Sequence, residues 1–151
     1  MQLSYSHVFS YPRAVVWELL QDERVLQHAI PGCKSFSQKE DGSYEVEMGL
    51  SVGPVKGVFT GQVQIANREE PRYYQLLVKG KGLPGEIDAT AHMHIEEEVG
   101  QKAVLNCQME VMLTGVLASL GQRVMGGVAK LVLGQFFKAA EDEMKKLTSQ
   151  V

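Results

Sequence analysis

Gly49-Leu50-Ser51-Val52-Gly53 has the GxSxG spacing of a hydrolase nucleophile elbow, in which a serine is pushed out on a sharp turn between a strand and a helix. Here Pro54 follows, and the chain then returns to strand-like alternation. The motif therefore reads as a hairpin, and no catalytic serine is expected. His92-x-His94-x-Glu96 places two imidazoles and a carboxylate on one side of a strand, a donor set that suits a divalent metal. Asp88 and Thr90 share that side, which marks it as the solvated face, so no metal is expected there. His7 falls among Leu3, Tyr5 and Phe9 and reads as a partnered core histidine rather than a general base. Gly80-Lys81-Gly82 lacks the second half of a phosphate loop and precedes Pro84 rather than a helix. Cys33 and Cys107 are too few for a disulfide framework and have no CxxC partner, so both are expected to be reduced thiols.

The elements that must position these side chains can be read between the prolines, each of which stands where a pattern changes: Pro12, Pro31, Pro54, Pro71 and Pro84. Leu3, Tyr5, His7 and Phe9 alternate with polar residues as in a half-buried strand. Pro12 suits the first turn of a short helix carrying Val15, Val16, Leu19 and Leu20, and a second short helix is expected over roughly Asp22 to Ala29. From there to Gly115 five alternating segments, starting near Tyr44, Phe59, Tyr74, Ile87 and Leu105, are separated by turn signals such as Asp41-Gly42, Gly53-Pro54 and Pro84-Gly85. One apolar and one wet face per strand describes an antiparallel sheet covered on one side. The cover is the proline-free run from Val116 to Leu147, where the apolar period becomes helical through Leu117, Leu120, Val124, Val128, Leu131 and Leu133. This order predicts an α+β fold of the helix-grip kind: a curved antiparallel sheet wrapped around a long C-terminal helix beginning near Leu117, with two short helices after the first strand. Residues 1–151 read as one domain.

Composition narrows the function. The chain has 151 residues, 44% hydrophobic and 22% charged, which excludes a disordered segment. A net charge of −3 argues against non-specific nucleic-acid binding, which needs clustered cations. The start MQLSYSHVFSYPR lacks the charged residues and apolar run of a signal peptide, so a cytoplasmic location is expected. The apolar stretch Val111 to Phe137 would put Arg123 and Lys130 near the centre of a bilayer, so it reads as a packed helix rather than a span.

The inward register is free of carboxylates, lysines and arginines, whereas acid–base catalysis needs a positioned titratable group. Small residues under a single covering helix leave room for a cavity, and methionines give it an adaptable wall. The expected site is a ligand cavity between sheet and helix. Its wall is Phe59, Tyr74, Leu76, Val78, Met93, Met109, Val111, Leu120 and Val124, with Gly61, Ala91 and Gly121 leaving the space. No catalytic and no metal-ligating residue is assigned.

Val16-Trp17-Glu18-Leu19-Leu20, Asp22, Val25-Leu26 and Ile30-Pro31-Gly32-Cys33 resemble the opening of the carbon monoxide dehydrogenase G-subunit (CoxG) family. Val52-Gly53-Pro54-Val55-Lys56-Gly57, followed by Phe59 and Gly61, is similar to that family's central hairpin. The resemblance implies membership of the START-like (SRPBCC) superfamily and a large apolar cavity. It also implies service to a molybdenum-containing carbon monoxide dehydrogenase-type oxidoreductase and contact with the inner face of the cell membrane. It suggests an isoprenoid quinone or a lipid as the bound molecule, with no covalent cofactor. Several members extend beyond the long helix; with Val151 following the helix closely, no built-in anchor is expected here. Two other readings stand beside the binding module: a polyketide-cyclase-like enzyme, and an assembly or membrane-recruitment factor without a ligand.

Overall fold

The computed structural model describes residues 1–149. The alternating start forms β1 (Gln2–Phe9). Pro12, with its fixed φ and missing N–H, immediately precedes α1 (Arg13–Leu20), which buries Val16, Trp17 and Leu20. Asp22 caps α2 (Glu23–Ala29): its carboxylate accepts the Arg24 N–H at 2.8 Å and pairs with the Arg24 guanidinium at 2.8 Å. That guanidinium holds the Asp22 carboxyl below the usual carboxylate range. Six further strands follow: β2 (Cys33–Gln38), β3 (Tyr44–Val52), β4 (Val55–Glu69), β5 (Tyr73–Gly82), β6 (Gly85–Glu98) and β7 (Lys102–Leu113). The chain then forms the single turn α3 (Gly115–Ser119) and the long α4 (Gly121–Thr148).

All seven strands join one sheet in the order β1-β7-β6-β5-β4-β3-β2, with every neighbouring pair antiparallel. This is a meander whose first strand returns to lie beside its last. At 28 residues α4 is a rod about 42 Å long, enough to cross the sheet. The α+β helix-grip architecture is therefore the one the sequence predicts.

Two elements differ from expectation. The edge strand β2 carries little sequence signal, because CKSFSQ holds a single large apolar residue, Phe36, which stacks on Tyr44 at 4.8 Å. The long helix does not begin near Leu117. Leu117 belongs to α3, where its N–H donates to the Pro84 carbonyl and its side chain is fully buried. The helical path then breaks at Gly121, whose φ of +85° only glycine adopts without strain, and α4 starts on a new course. Gly85 makes the junction possible. A side chain there would overlap the Thr114 carbonyl, so the β5–β6 turn and α3 pack backbone against backbone.

The core divides into two clusters. The larger gathers Phe9, Val16, Trp17, Leu20, Tyr74, Met93, Cys107, Phe137, Ala140 and Met144, where α1, α2 and the second half of α4 close one end of the sheet. The smaller gathers Val52, Val55, Phe59, Leu117, Met125 and Val128 at the other end. Phe137 is the centre of the first, with ring centroids 5.7 Å from Tyr5, 5.8 Å from His7 and 6.2 Å from Phe9. Replacing Phe137 by Ala is expected to destabilise the protein by about 3–5 kcal/mol, read from the urea midpoint. Met112→Ala, at an exposed position, should stay within about 0.5 kcal/mol. A tolerated Phe137→Ala would show that α4 is not anchored at this end.

Candidate functional site

Inward side chains of neighbouring strands line up in rows across the sheet. Under α1 and α2 one row runs Tyr74, Met93, Cys107, Tyr5. The next runs Ile65, Leu76, Ala91, Met109, Leu3, and the one after it Val63, Val78, Ala89, Val111. A fourth runs Val46, Gly61, Gly80, Ile87, Leu113. Tyr74, Met93 and Cys107 are sealed, at 1–2% exposure. Yet Ile65, Leu76, Met109, Val63 and Val78 are only half-buried although they face the helix. Because β5 is the middle strand of seven, Leu76 and Val78 can be reached only from the concave side. The accessible surface of these apolar side chains therefore borders a space between the sheet and α4.

At Gly80 there is room for a side chain: a Cβ there would meet only the Ile87 Cβ, at the ordinary contact distance of 3.8 Å. Val63 and Val78 belong to neither core cluster. Leu76, Val78, Met109 and Val111 lie in the rows bordering the space. Tyr74, Met93 and Ala91 form its sealed floor at one end, and Phe59 closes the other with its ring lying over Gly82.

Three expected positions are corrected. Gly61 does not leave room: a Cβ there would sit 2.9 Å from the Lys79 carbonyl, so this glycine serves the β4–β5 pairing. Gly121 is the break that starts α4 rather than a gap in a continuous helix. Val124 is 42% exposed, because the break resets the helical phase and turns it away from the sheet, while Met125 and Val128 turn inward. Leu120, in the break itself, is half-buried against the smaller cluster. Ile65 is missing from the expected site, although the same alternation that selects Leu76 and Val78 places it on the inner face.

The electrostatics of this interior are those of neutral groups. None of the four rows contains a charged residue. Burial pushes the Tyr74 phenol well above its ordinary range, with a smaller contribution from Cys107, and pushes the Cys107 thiol up to about 12. The histidine and carboxylate nearest this region form a pair beyond the floor: His7 Nε2 lies 2.8 Å from Glu141 Oε1, whose other oxygen accepts the Ser10 N–H at 3.1 Å. His7 also packs against Phe9 and Phe137, so the pair ties β1 to α4. Sequence reasoning misses Glu141; its signal is the four-residue spacing from Phe137 on one helix face.

Two broad grooves of about 1270 and 820 Å³ lie along the polar outer face, and inner-row residues also border them, Leu3 and Met109 in the first and Val46, Gly61, Gly80 and Ile87 in the second. In the first, Asn67 donates to Gln75 at 2.8 Å, Gln75 to the Tyr73 hydroxyl at 2.8 Å, and that hydroxyl lies 2.7 Å from His92 Nδ1. His92 is thus held by a tyrosine, and among the described residues no three His, Cys, Asp or Glu side chains converge as metal ligands. Ser51 is exposed in β3 and is followed by the β3–β4 turn, so the strand–turn–helix of an elbow is missing. No helix among the described residues is long and apolar enough to cross a membrane.

The family model of the carbon monoxide dehydrogenase G-subunit (CoxG) matches residues 7–144. Among solved structures, a conserved protein from Geobacillus kaustophilus superposes with a TM-score of 0.92 at 29% identity, covering 97% of this chain and 96% of that one. A START superfamily protein from Mycobacterium smegmatis superposes with a TM-score of 0.72 at 12% identity, covering 97% and 98%. The latter likeness is one of fold. No curated protein sequence is matched.

The buried thiol and phenol set a test. In the folded protein at pH 8 a thiol reagent is expected to modify Cys33, which is partly accessible, and to reach Cys107 only after denaturation. Both Cys107 and Tyr74 hold their protons more tightly folded than unfolded, so above about pH 9 the unfolded chain binds fewer protons and stability falls with rising pH. Urea midpoints that stay flat from pH 8 to 11 would contradict this burial.

Proposed function

The chain belongs to the CoxG family of carbon monoxide dehydrogenase, and from that premise we propose that it is a non-catalytic binding module that holds an apolar molecule between its sheet and α4. The molecule is a quinone or a lipid, carried in the service of a molybdenum-containing carbon monoxide dehydrogenase-type enzyme. The observation that carries this reading is the half-buried state of Leu76 and Val78 on the middle strand, which face the helix and yet are not covered by it. Interiors are normally packed as densely as organic crystals. Rows of aliphatic side chains left partly uncovered inside a fold are surface for an apolar guest.

The chemistry of the interior fits carrying rather than catalysis. Its titratable groups are two phenols and a thiol, and burial keeps the Tyr74 phenol and the Cys107 thiol protonated, so neither of these serves as a base near neutral pH. Apolar contact suffices for affinity: covering roughly 300 Å² at about 25 cal/mol per Å² contributes about 7 kcal/mol before association costs. Isolation under mild conditions followed by solvent extraction and mass spectrometry is expected to recover one class of apolar molecule in stoichiometric amount.

Gly80→Leu is the matching variant. The backbone at Gly80 lies outside the left-handed region, and a Cβ there makes only an ordinary contact with Ile87, so a side chain can be added on the inner face. It should keep the fold while lowering ligand occupancy at least tenfold. Full occupancy in Gly80→Leu would show that the ligand does not lie beside this row, and a parent protein that carries nothing and takes up neither quinone nor lipid would leave an assembly role without a ligand.

A further inference from the structure

We infer that α3 is the door of this cavity: a single helical turn that swings on Gly115 and Gly121 and draws Leu117 out of the smaller core cluster to let a guest in and out. This rests on the binding-module reading and adds the route by which the space is reached.

The two ends of the space are closed in different ways. At one, α1, α2 and the second half of α4 cover the larger cluster. There His7–Glu141 at 2.8 Å and His28–Glu143 at 3.6 Å fasten α4 to β1 and to α2. Entry at that end would displace Phe9, Phe137, Ala140 and Met144, all completely buried. At the other end the cover is α3, five residues long, and the side chain it buries is Leu117. Val116 in the same turn is 58% exposed, and neither α3 nor α4 has a side chain capping its first backbone N–H groups. Leu117 shares its cluster with Phe59, which closes this end of the space, so withdrawing Leu117 strips Phe59 of its cover.

The pivots bracket this turn. Gly115 has φ +66° and Gly121 φ +85°, in the left-handed region that glycine enters and leaves without steric penalty. A Cβ on Gly121 would meet nothing within 4 Å, so this glycine serves its backbone conformation and not a close contact. Both pivots adjoin fixed elements. Before Gly115, Thr114 donates its N–H to the Glu86 carbonyl at 3.1 Å and accepts the Glu86 N–H on its hydroxyl at 2.9 Å. After Gly121, Met125 and Val128 seat the first half of α4. Between the pivots, the hydrogen bond that ties the turn to the sheet runs from the Leu117 N–H to the Pro84 carbonyl, at 3.1 Å. A segment held by one buried side chain and so few bonds opens at lower free energy than the core beside it, and hinges of this kind gate access to many binding sites.

The test follows uptake and release of a short-chain prenyl naphthoquinone by stopped flow on the intact protein, through quenching of Trp17, the single tryptophan. Leu117→Ala loosens the door in the free and the loaded protein alike. Association and dissociation rate constants should both rise about tenfold while Kd stays within about twofold. Leu117→Met should restore the parent rates, and Val116→Ala, at the exposed position of the same turn, should leave them unchanged. A leucine that merely lined the wall would change Kd through dissociation alone. In the parent, the Leu117 and Leu120 amides should exchange hydrogen about a hundredfold faster than the Ala140 amide. An unchanged association rate in Leu117→Ala would overturn the door while leaving the binding module intact. So would Leu117 and Leu120 amides as protected as that of Ala140, a measurement that decides the matter even where Leu117→Ala does not fold. If the parent binds neither this quinone nor a pyrene-labelled phospholipid, the binding module falls and the door with it.

Discussion

A straight helix laid across a curved sheet can touch it at its two ends or along its middle, but not at both. Here α4 touches at its ends. Phe137, Ala140 and Met144 anchor its second half among Phe9, Trp17 and the floor of β5–β7, and Met125 and Val128 anchor its first half against Val52, Val55 and Phe59. The rest of the structure follows from that bridging. The core forms as two clusters, the inner rows between them remain partly uncovered, and the middle of the sheet carries small residues where a filled core would carry large ones.

Such a space has an energetic consequence. Side chains around a void lose dispersion contacts on one side, and large-to-small core substitutions measure that loss at several kcal/mol. This chain tolerates it by making the two clusters dense: Phe9, Val16, Val25, Ala103, Leu105, Leu117, Phe137, Ala140 and Met144 are completely buried. Charge is kept to the outer face of the sheet, to the helices, and to the end that carries the β2–β3, β4–β5 and β6–β7 turns, where Asp41, Glu69, Glu70 and the run Glu96-Glu97-Glu98 lie exposed. The interior is left neutral, and the two titratable groups on its floor remain protonated because burial disfavours their anions.

The side chains whose spacing invites a catalytic reading serve the architecture instead. Ser51 ends a strand before a hairpin, the histidine on β1 uses Glu141 to fasten the helix, and His92 completes a hydrogen-bond chain on the solvated face. For the two histidines the partner that decides the role is distant in sequence: 134 residues separate His7 from Glu141, and 19 separate Tyr73 from His92. The chemistry of a residue is set by what stands beside it, and strand pairing chooses that neighbour.

The sheet, the two early helices and the apolar inner face are legible in the order of residues, because side chains alternate with period two along a strand and local turn residues mark where each strand ends. The same alternation keeps the interior uncharged, since register assigns the carboxylates and lysines of the central strands to the outer face, apart from Glu97 at the exposed end of β6. It also puts Leu76, Val78, Met109 and Val111 on the inner face. Other features exist only once the chain is packed. The break at Gly121 changes the phase of α4, so Val124, which continues the spacing of Leu117 and Leu120, turns outward. Gly61 and Gly80 are neighbours on paired strands and look alike in sequence. One faces the Lys79 carbonyl and the other has room for a side chain, and that difference arises from the local shape of the β4–β5 ladder.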